Sequence, residues 1–143
     1  MPTASSIVVT QNAPVVLSAT ETTLFPANAP NGVGIPGAGP GKPGWAALAI
    51  ITVPGVTNVP AGGVITVKVR AGTSSAAPEI GTVKWKNPTN QTDDVGVGSL
   101  AIPVPAGTQS VFVGLSASLG TPSAQATATE PIAFVLLGLT SPD

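Results

Sequence analysis

Gly and Pro punctuate this chain so regularly that no stretch of ten or more residues shows the i, i+3, i+4, i+7 apolar spacing of an amphipathic helix free of them. Among the 143 residues are 17 Gly and 16 Pro, and each costs a helix interior about 1 or about 3 kcal/mol respectively. Between the breaks the hydrophobic period is two, and the breaks recur every ten residues or so. That is the pattern of an all-β sandwich or barrel. The expected fold is a single antiparallel β-sandwich over residues 1–143, jelly-roll-like, with about eight to nine strands.

The clearest strand is Val64 to Arg70, where Ile65, Val67 and Val69 share one face and Thr66, Lys68 and Arg70 the other. Gln109 to Ser118 repeats the arrangement, with enough apolar residues on both sides for both faces to be partly covered. Further strands are expected at Ser6 to Thr10, Pro14 to Ser18, Thr22 to Phe25, Trp45 to Val53, Ile80 to Lys86, Val95 to Ile102 and Pro131 to Leu139. Turns fall where these stop, at Pro54-Gly55, Pro60-Ala61-Gly62-Gly63, Ala71-Gly72-Thr73, Pro105-Ala106-Gly107 and Leu119-Gly120-Thr121-Pro122. One segment breaks the rhythm. Pro26 to Gly44 is so dense in Gly and Pro that it is expected to be neither strand nor helix, and loops of this length are functional or disordered more often than not. It reads either as a solvated connection or as an arm lying on a neighbouring subunit, with Val33 and Ile35 as small apolar anchors.

What the chain lacks bounds its chemistry. It has no His, Cys or Tyr, and only 5 Lys and Arg with 6 Asp and Glu. Neutral-pH acid/base catalysis, thiol nucleophiles and transition-metal sites draw on those missing types, so neither an enzyme nor a metal or cofactor site is expected. Ser110 has no His to activate it and no G-x-S-x-G setting. Asp93 and Asp94 are adjacent, so on a strand they point to opposite faces and make a poor acid/base pair. Around them the alternating oxygens and closing Glu of an EF-hand are missing. Gly32-Val33-Gly34 and Gly37-Ala38-Gly39 are followed by no Gly-Lys-Ser/Thr and belong to loop chemistry. Asn90-Gln91-Thr92 matches the glycosylation acceptor, which matters only in a secreted chain. Met1 to Thr10 lacks the basic and apolar regions of a signal peptide, so secretion is not expected. The apolar run Ile132 to Leu137 is far shorter than the ~20 residues a helical bilayer span needs and reads as a buried strand, so no membrane partner is expected. Met1 to Ser6 and Ser141 to Asp143 are small, polar termini.

Composition points instead to assembly. The formal charge is −1 and only 8% of residues are charged, against about a quarter in ordinary domains. Nothing in such a surface keeps copies apart. The apolar side chains, 43% of the chain, are mostly Val, Ala, Ile and Leu, with 2 Trp and 3 Phe. Trp85, between two lysines, is expected to face the core, as is Trp45. Lys68, Arg70, Lys84 and Lys86 are four of the five basic residues and lie on two successive strands, so a hairpin would gather them on one face. Like charges gathered this way call for a counterpart, either an acidic partner or Glu79, Asp93 and Asp94. Direct nucleic-acid binding is not expected, because the pI of about 5.1 and the missing aromatic series are wrong for phosphate and base stacking.

The small residues, the strand-and-turn rhythm and the segment Gly63-Val64-Ile65-Thr66-Val67-Lys68-Val69-Arg70-Ala71-Gly72-Thr73 resemble those of small β-sandwich virion proteins of tailed bacteriophages. The resemblance implies a capsid decoration or cement protein. Such a protein is assembled in the host cytoplasm, is typically a homo-trimer, and sits on the outer surface of the virion where major capsid subunits meet. Alternatives are a jelly-roll major capsid or spike subunit, and an extracellular ligand-binding or pilus-like β module.

Overall fold

Alternation becomes structure most directly at residues 64–71, where Ile65, Val67 and Val69 are buried and the residues between them half-buried. The computed structural model describes residues 4–35 and 46–139. In chain order these form thirteen strands: β1 (Ala4–Gln11), β2 (Val15–Val16), β3 (Thr22–Thr23), β4 (Val33–Gly34), β5 (Ala46–Val53), β6 (Val56–Val59), β7 (Val64–Ala71), β8 (Glu79–Lys86), β9 (Asp93–Val95), β10 (Gly98–Val104), β11 (Ser110–Ala117), β12 (Ser123–Ala124) and β13 (Ile132–Leu139). The described residues contain no helix.

All pairings are antiparallel and build three sheets. The first runs β1-β13-β5-β10 and the second β3-β11-β7-β8, with β4 also on β11. A smaller third sheet, β2-β12-β6-β9, adds Val15, Val56, Val59 and Ala124 to the same core. Along the eight strands of the two main sheets, every connection except the β7–β8 hairpin passes from one sheet to the other. This interleaving puts the first and last strands side by side and is the connection of a jelly roll. The core lies between the inner faces, with Ala49, Ile51, Phe134 and Leu136 from one sheet and Ile65, Val67, Val113 and Leu115 from the other. Phe25 reaches Phe134 at a ring separation of 5.7 Å. At Gly81 the backbone of β8 passes so close to β10 that a Cβ would lie 2.8 Å from Ile102 Cγ2.

Of the expected turns, Pro60 to Gly63 closes as a hydrogen-bonded turn, with Gly63 N donating to Pro60 O at 2.8 Å and Gly62 at φ 71°. That positive φ at the third position is what a type II turn needs from glycine. Three strands were not expected (β4, β6 and β12), and Val95 to Ile102 divides into β9 and β10 around Gly98 at φ 77°. The segment Pro26 to Gly44 needs correction: Val33 and Gly34 pair with Val111 and Ser110, and Ile35 N donates to Gln109 O at 2.9 Å. Burying two aliphatic side chains two positions apart, on one face of the strand, outweighs the local Gly and Pro signal. Residues 36–44, and Trp45 after them, lie outside the described residues.

Candidate functional site

The four basic residues do come together. The β7–β8 register sets Lys68 against Thr82, Thr66 against Lys84 and Val64 against Lys86, and after a bulge Arg70 faces Glu79. All four side chains therefore share the outer face of the second sheet, staggered so that no lysine lies directly opposite another. Glu79 sits among them. Its carboxylate accepts from Thr82 Oγ1 at 2.8 Å and pairs with Lys68 Nζ at 3.1 Å. The Thr82 hydrogen bond, then the Lys68 contact, holds the Glu79 carboxyl below its ordinary pKa.

Arg70 is held more firmly, by a partner the sequence reading did not single out. Its Nε donates to Glu21 Oε2 at 3.0 Å, its Nη2 to Glu21 Oε1 at 2.8 Å, and its Nη1 to Ala77 O at 2.8 Å. This two-pronged geometry is the strongest form of a carboxylate–guanidinium pair. The two side chains are only 13% and 12% exposed, and the Glu21 hydrogen bond raises the Arg70 pKa above its ordinary value. Glu21 reaches Arg70 by lying across Gly114 of β11, where a Cβ would collide with its carboxylate. Arg70 thus fastens the 17–25 segment to the sheet. Lys84 and Lys86 are the exposed cations of this face that form no ion pair among the described residues.

Val33 and Ile35 are each 6% exposed, in the core of this chain. Their side chains belong to the buried cluster that also holds Val111 and Phe25. Trp85 packs against the core from the side of β8 opposite the lysines. Asp93 and Asp94 are engaged in backbone bonds: Asp94 Oδ1 accepts from Asn58 N at 3.2 Å, and Asp93 Oδ1 from Asp94 N at 2.8 Å.

A second surface emerges only from the pairing of β1, β13, β5 and β10. Their registers line up three rows on the outer side of the first sheet: Ser6, Leu137, Leu48, Pro103; then Val8, Val135, Ile50, Ala101; then Thr10, Ala133, Thr52, Ser99. None of the four strands contains a charged residue. The inner residues of β13 are buried, whereas Ala133, Val135 and Leu137 are half-buried, as are Leu48 and Ile50 of β5. Val8 is 60% exposed. The hydroxyls of Thr52 and Ser99 satisfy each other at 2.9 Å at one end. The sequence signal was present in the apolar runs of β5 and β13, which carry aliphatic residues on both faces as strands covered on both sides do. In this chain one side of each is covered by the core and the other only partly covered.

No family model matches the chain, and no curated protein matches it in sequence. Among solved structures it is similar to a disulfide-linked pilus protein of Bacillus endospore appendages, at 12% identity over 99% of this chain and 90% of that one, TM-score 0.43. It is also similar to the Eiger TNF of S. frugiperda, at 6% identity over 98% and 94%, TM-score 0.47. A structure of infectious bursal disease virus matches at 8% identity over 98% of this chain and 32% of that one, TM-score 0.35. No residue of this chain takes a role from these likenesses.

Proposed function

We propose that this chain is a non-enzymatic virion structural protein, a capsid decoration or cement protein that sits on the outside of a phage head and stabilises the shell. The observation that carries the reading is the outer face of the β1-β13-β5-β10 sheet, broad, aliphatic and without a charge. A surface of this kind suits permanent packing against protein. Its four strands offer no charged group to orient a small substrate and no cation to hold phosphate. Many small aliphatic contacts, individually weak, sum to a durable attachment. The major capsid protein is the proposed partner, and Lys84 and Lys86 on the opposite sheet are, among the described residues, the basic groups left to meet an acidic shell surface.

The test is to mix the purified chain with undecorated particles from its source and follow mass by light scattering on a sizing column. Decoration predicts a small species that moves into the particle peak only when shells are present. A chain indifferent to particles sinks the reading. The jelly-roll connection favours one other role, a shell-forming subunit, and that role predicts megadalton assembly of the chain alone.

A further inference from the structure

We infer that the outer face of the β1-β13-β5-β10 sheet is where a second copy of this chain packs, face to face about a twofold axis, with Leu48, Ile50, Val135 and Leu137 at the centre. The inference rests on the reading of the chain as an assembly protein; with this face covered by a second copy, the opposite sheet, where Lys84 and Lys86 form no ion pair among the described residues, is the one left to meet the shell.

Charge is the first ground. A twofold axis opposes to its own copy only what lies near the axis, and residues away from it meet other residues of the same face, so a charge buried in such a contact needs a partner elsewhere on that face. Here there is no charge to oppose, and the chain as a whole carries only −1. The distribution of polarity is the second ground. Two of the three rows are almost wholly aliphatic, and the hydroxyl-bearing row lies at one end, where Thr52 and Ser99 already satisfy each other. A polar margin beside an aliphatic centre is the anatomy of a specific interface.

Area is the third ground. Four strands at roughly 4.8 Å spacing and eight residues at roughly 3.4 Å rise give a face of about 500 Å². Two copies then bury about 1,000 Å² before side-chain relief is counted, the size at which specific interfaces begin. Stacking two such sheets about 10 Å apart repeats the packing already inside the chain. A twofold contact builds an even-numbered assembly, which differs from the trimer that the phage resemblance implies.

The experiment is sedimentation velocity of the full chain across a wide concentration range, with Val135→Lys at the centre of the face and Val8→Lys at its edge. Lys84→Glu on the other sheet is the control. The wild-type chain is expected at twice its 13.9 kDa mass. Val135→Lys should weaken the dimer by about 100-fold, because each lysine faces its symmetry mate in a dry centre. Val8→Lys should weaken it by about tenfold, and Lys84→Glu not at all. Val8 is 60% exposed, so its variant tests the face even where the central one fails to fold, with circular dichroism as the check. A wild-type monomer at every concentration, or a dimer indifferent to a folded Val8→Lys, overturns the inference. Particle binding separates it from the functional reading. A monomeric chain whose shell binding is lost in Val8→Lys would give this face to the shell, keeping decoration and ending the dimer. A dimer that ignores shells would do the reverse.

Discussion

Substituting Gly114→Ala adds one methyl group to a strand, yet it should unfasten a residue elsewhere in the chain. The backbone of Gly114 is not among the positive-φ glycines, so alanine fits its conformation. The added Cβ, however, collides with the carboxylate end of Glu21. Glu21 is flexible enough to move aside, but doing so breaks the bonds to Arg70 Nε and Nη2. Hydrogen bonds to charged groups contribute about 1.5–3 kcal/mol each when well made, exposed ion pairs at most about 1 kcal/mol, and breaking a fully buried pair costs about 3–5 kcal/mol. At 13% and 12% exposure this pair lies between those limits. Arg70 also keeps Ala77 O and has Glu79 at 3.8 Å, and a displaced Glu21 regains water. We expect a loss of about 2 kcal/mol, equivalent to about 4–8 °C in Tm for a chain of this size. In a Glu21→Ala background the obstacle is gone, and the same substitution should be neutral or stabilising by about 0.5–1 kcal/mol through the lost glycine entropy. Urea unfolding of the four proteins, followed by tryptophan fluorescence, therefore yields a coupling of about 2–3 kcal/mol. Equal cost of Gly114→Ala in both backgrounds would refute the claim that Glu21 and Arg70 are joined across this glycine.

Three further outcomes are expected. Asn87, 1% exposed, donates to Val59 O and Gln91 O at 2.9 Å and accepts from Thr89 N. Asn87→Ala strands those groups and should cost about 3 kcal/mol in urea unfolding. Gly81→Val drives a side chain into Ile102 and should cost about 1–3 kcal/mol, relieved by adding Ile102→Ala, which thermal melts can read. The lowered Glu79 pKa means that its carboxylate stabilises the fold above the unfolded carboxylate pKa of about 4.3, and that this contribution disappears as pH falls through the lower folded value. Melting curves of wild type and Glu79→Gln should therefore separate near neutral pH and converge in acid. A constant gap across that range would count against the Thr82 and Lys68 contacts as its source.

Much of the fold was legible because a half-buried strand writes its inward face into every second residue, as residues 64–70 and 80–86 do. β6 escaped for a definite reason. Val56 and Val59 are both buried although three residues apart, because a bulge and Asn58 at φ 60° turn the second valine back toward the core. That spacing breaks the period of two, and the flanking Pro54-Gly55 and Pro60 then read as a continuous turn region. β4 was hidden by surrounding Gly and Pro, since the gain that orders it comes from Val111, far along the chain. The basic cluster was visible as two alternating strands, but the pairing of its Arg70 with Glu21 spans 49 residues and leaves no local pattern.

By itself the sequence determined the fold class, the clustering of the basic residues on one hairpin and the absence of the side chains most catalysis needs, because these follow from periodicity and residue type. Tertiary structure alone decided the jelly-roll connection, the capture of Arg70 by Glu21, the commitment of Val33 and Ile35 to the core, and the assembly of one uncharged face. Each of these depends on pairings between residues far apart in the chain, and strand pairing is set by the summed burial of whole faces, which no local stretch of sequence encodes.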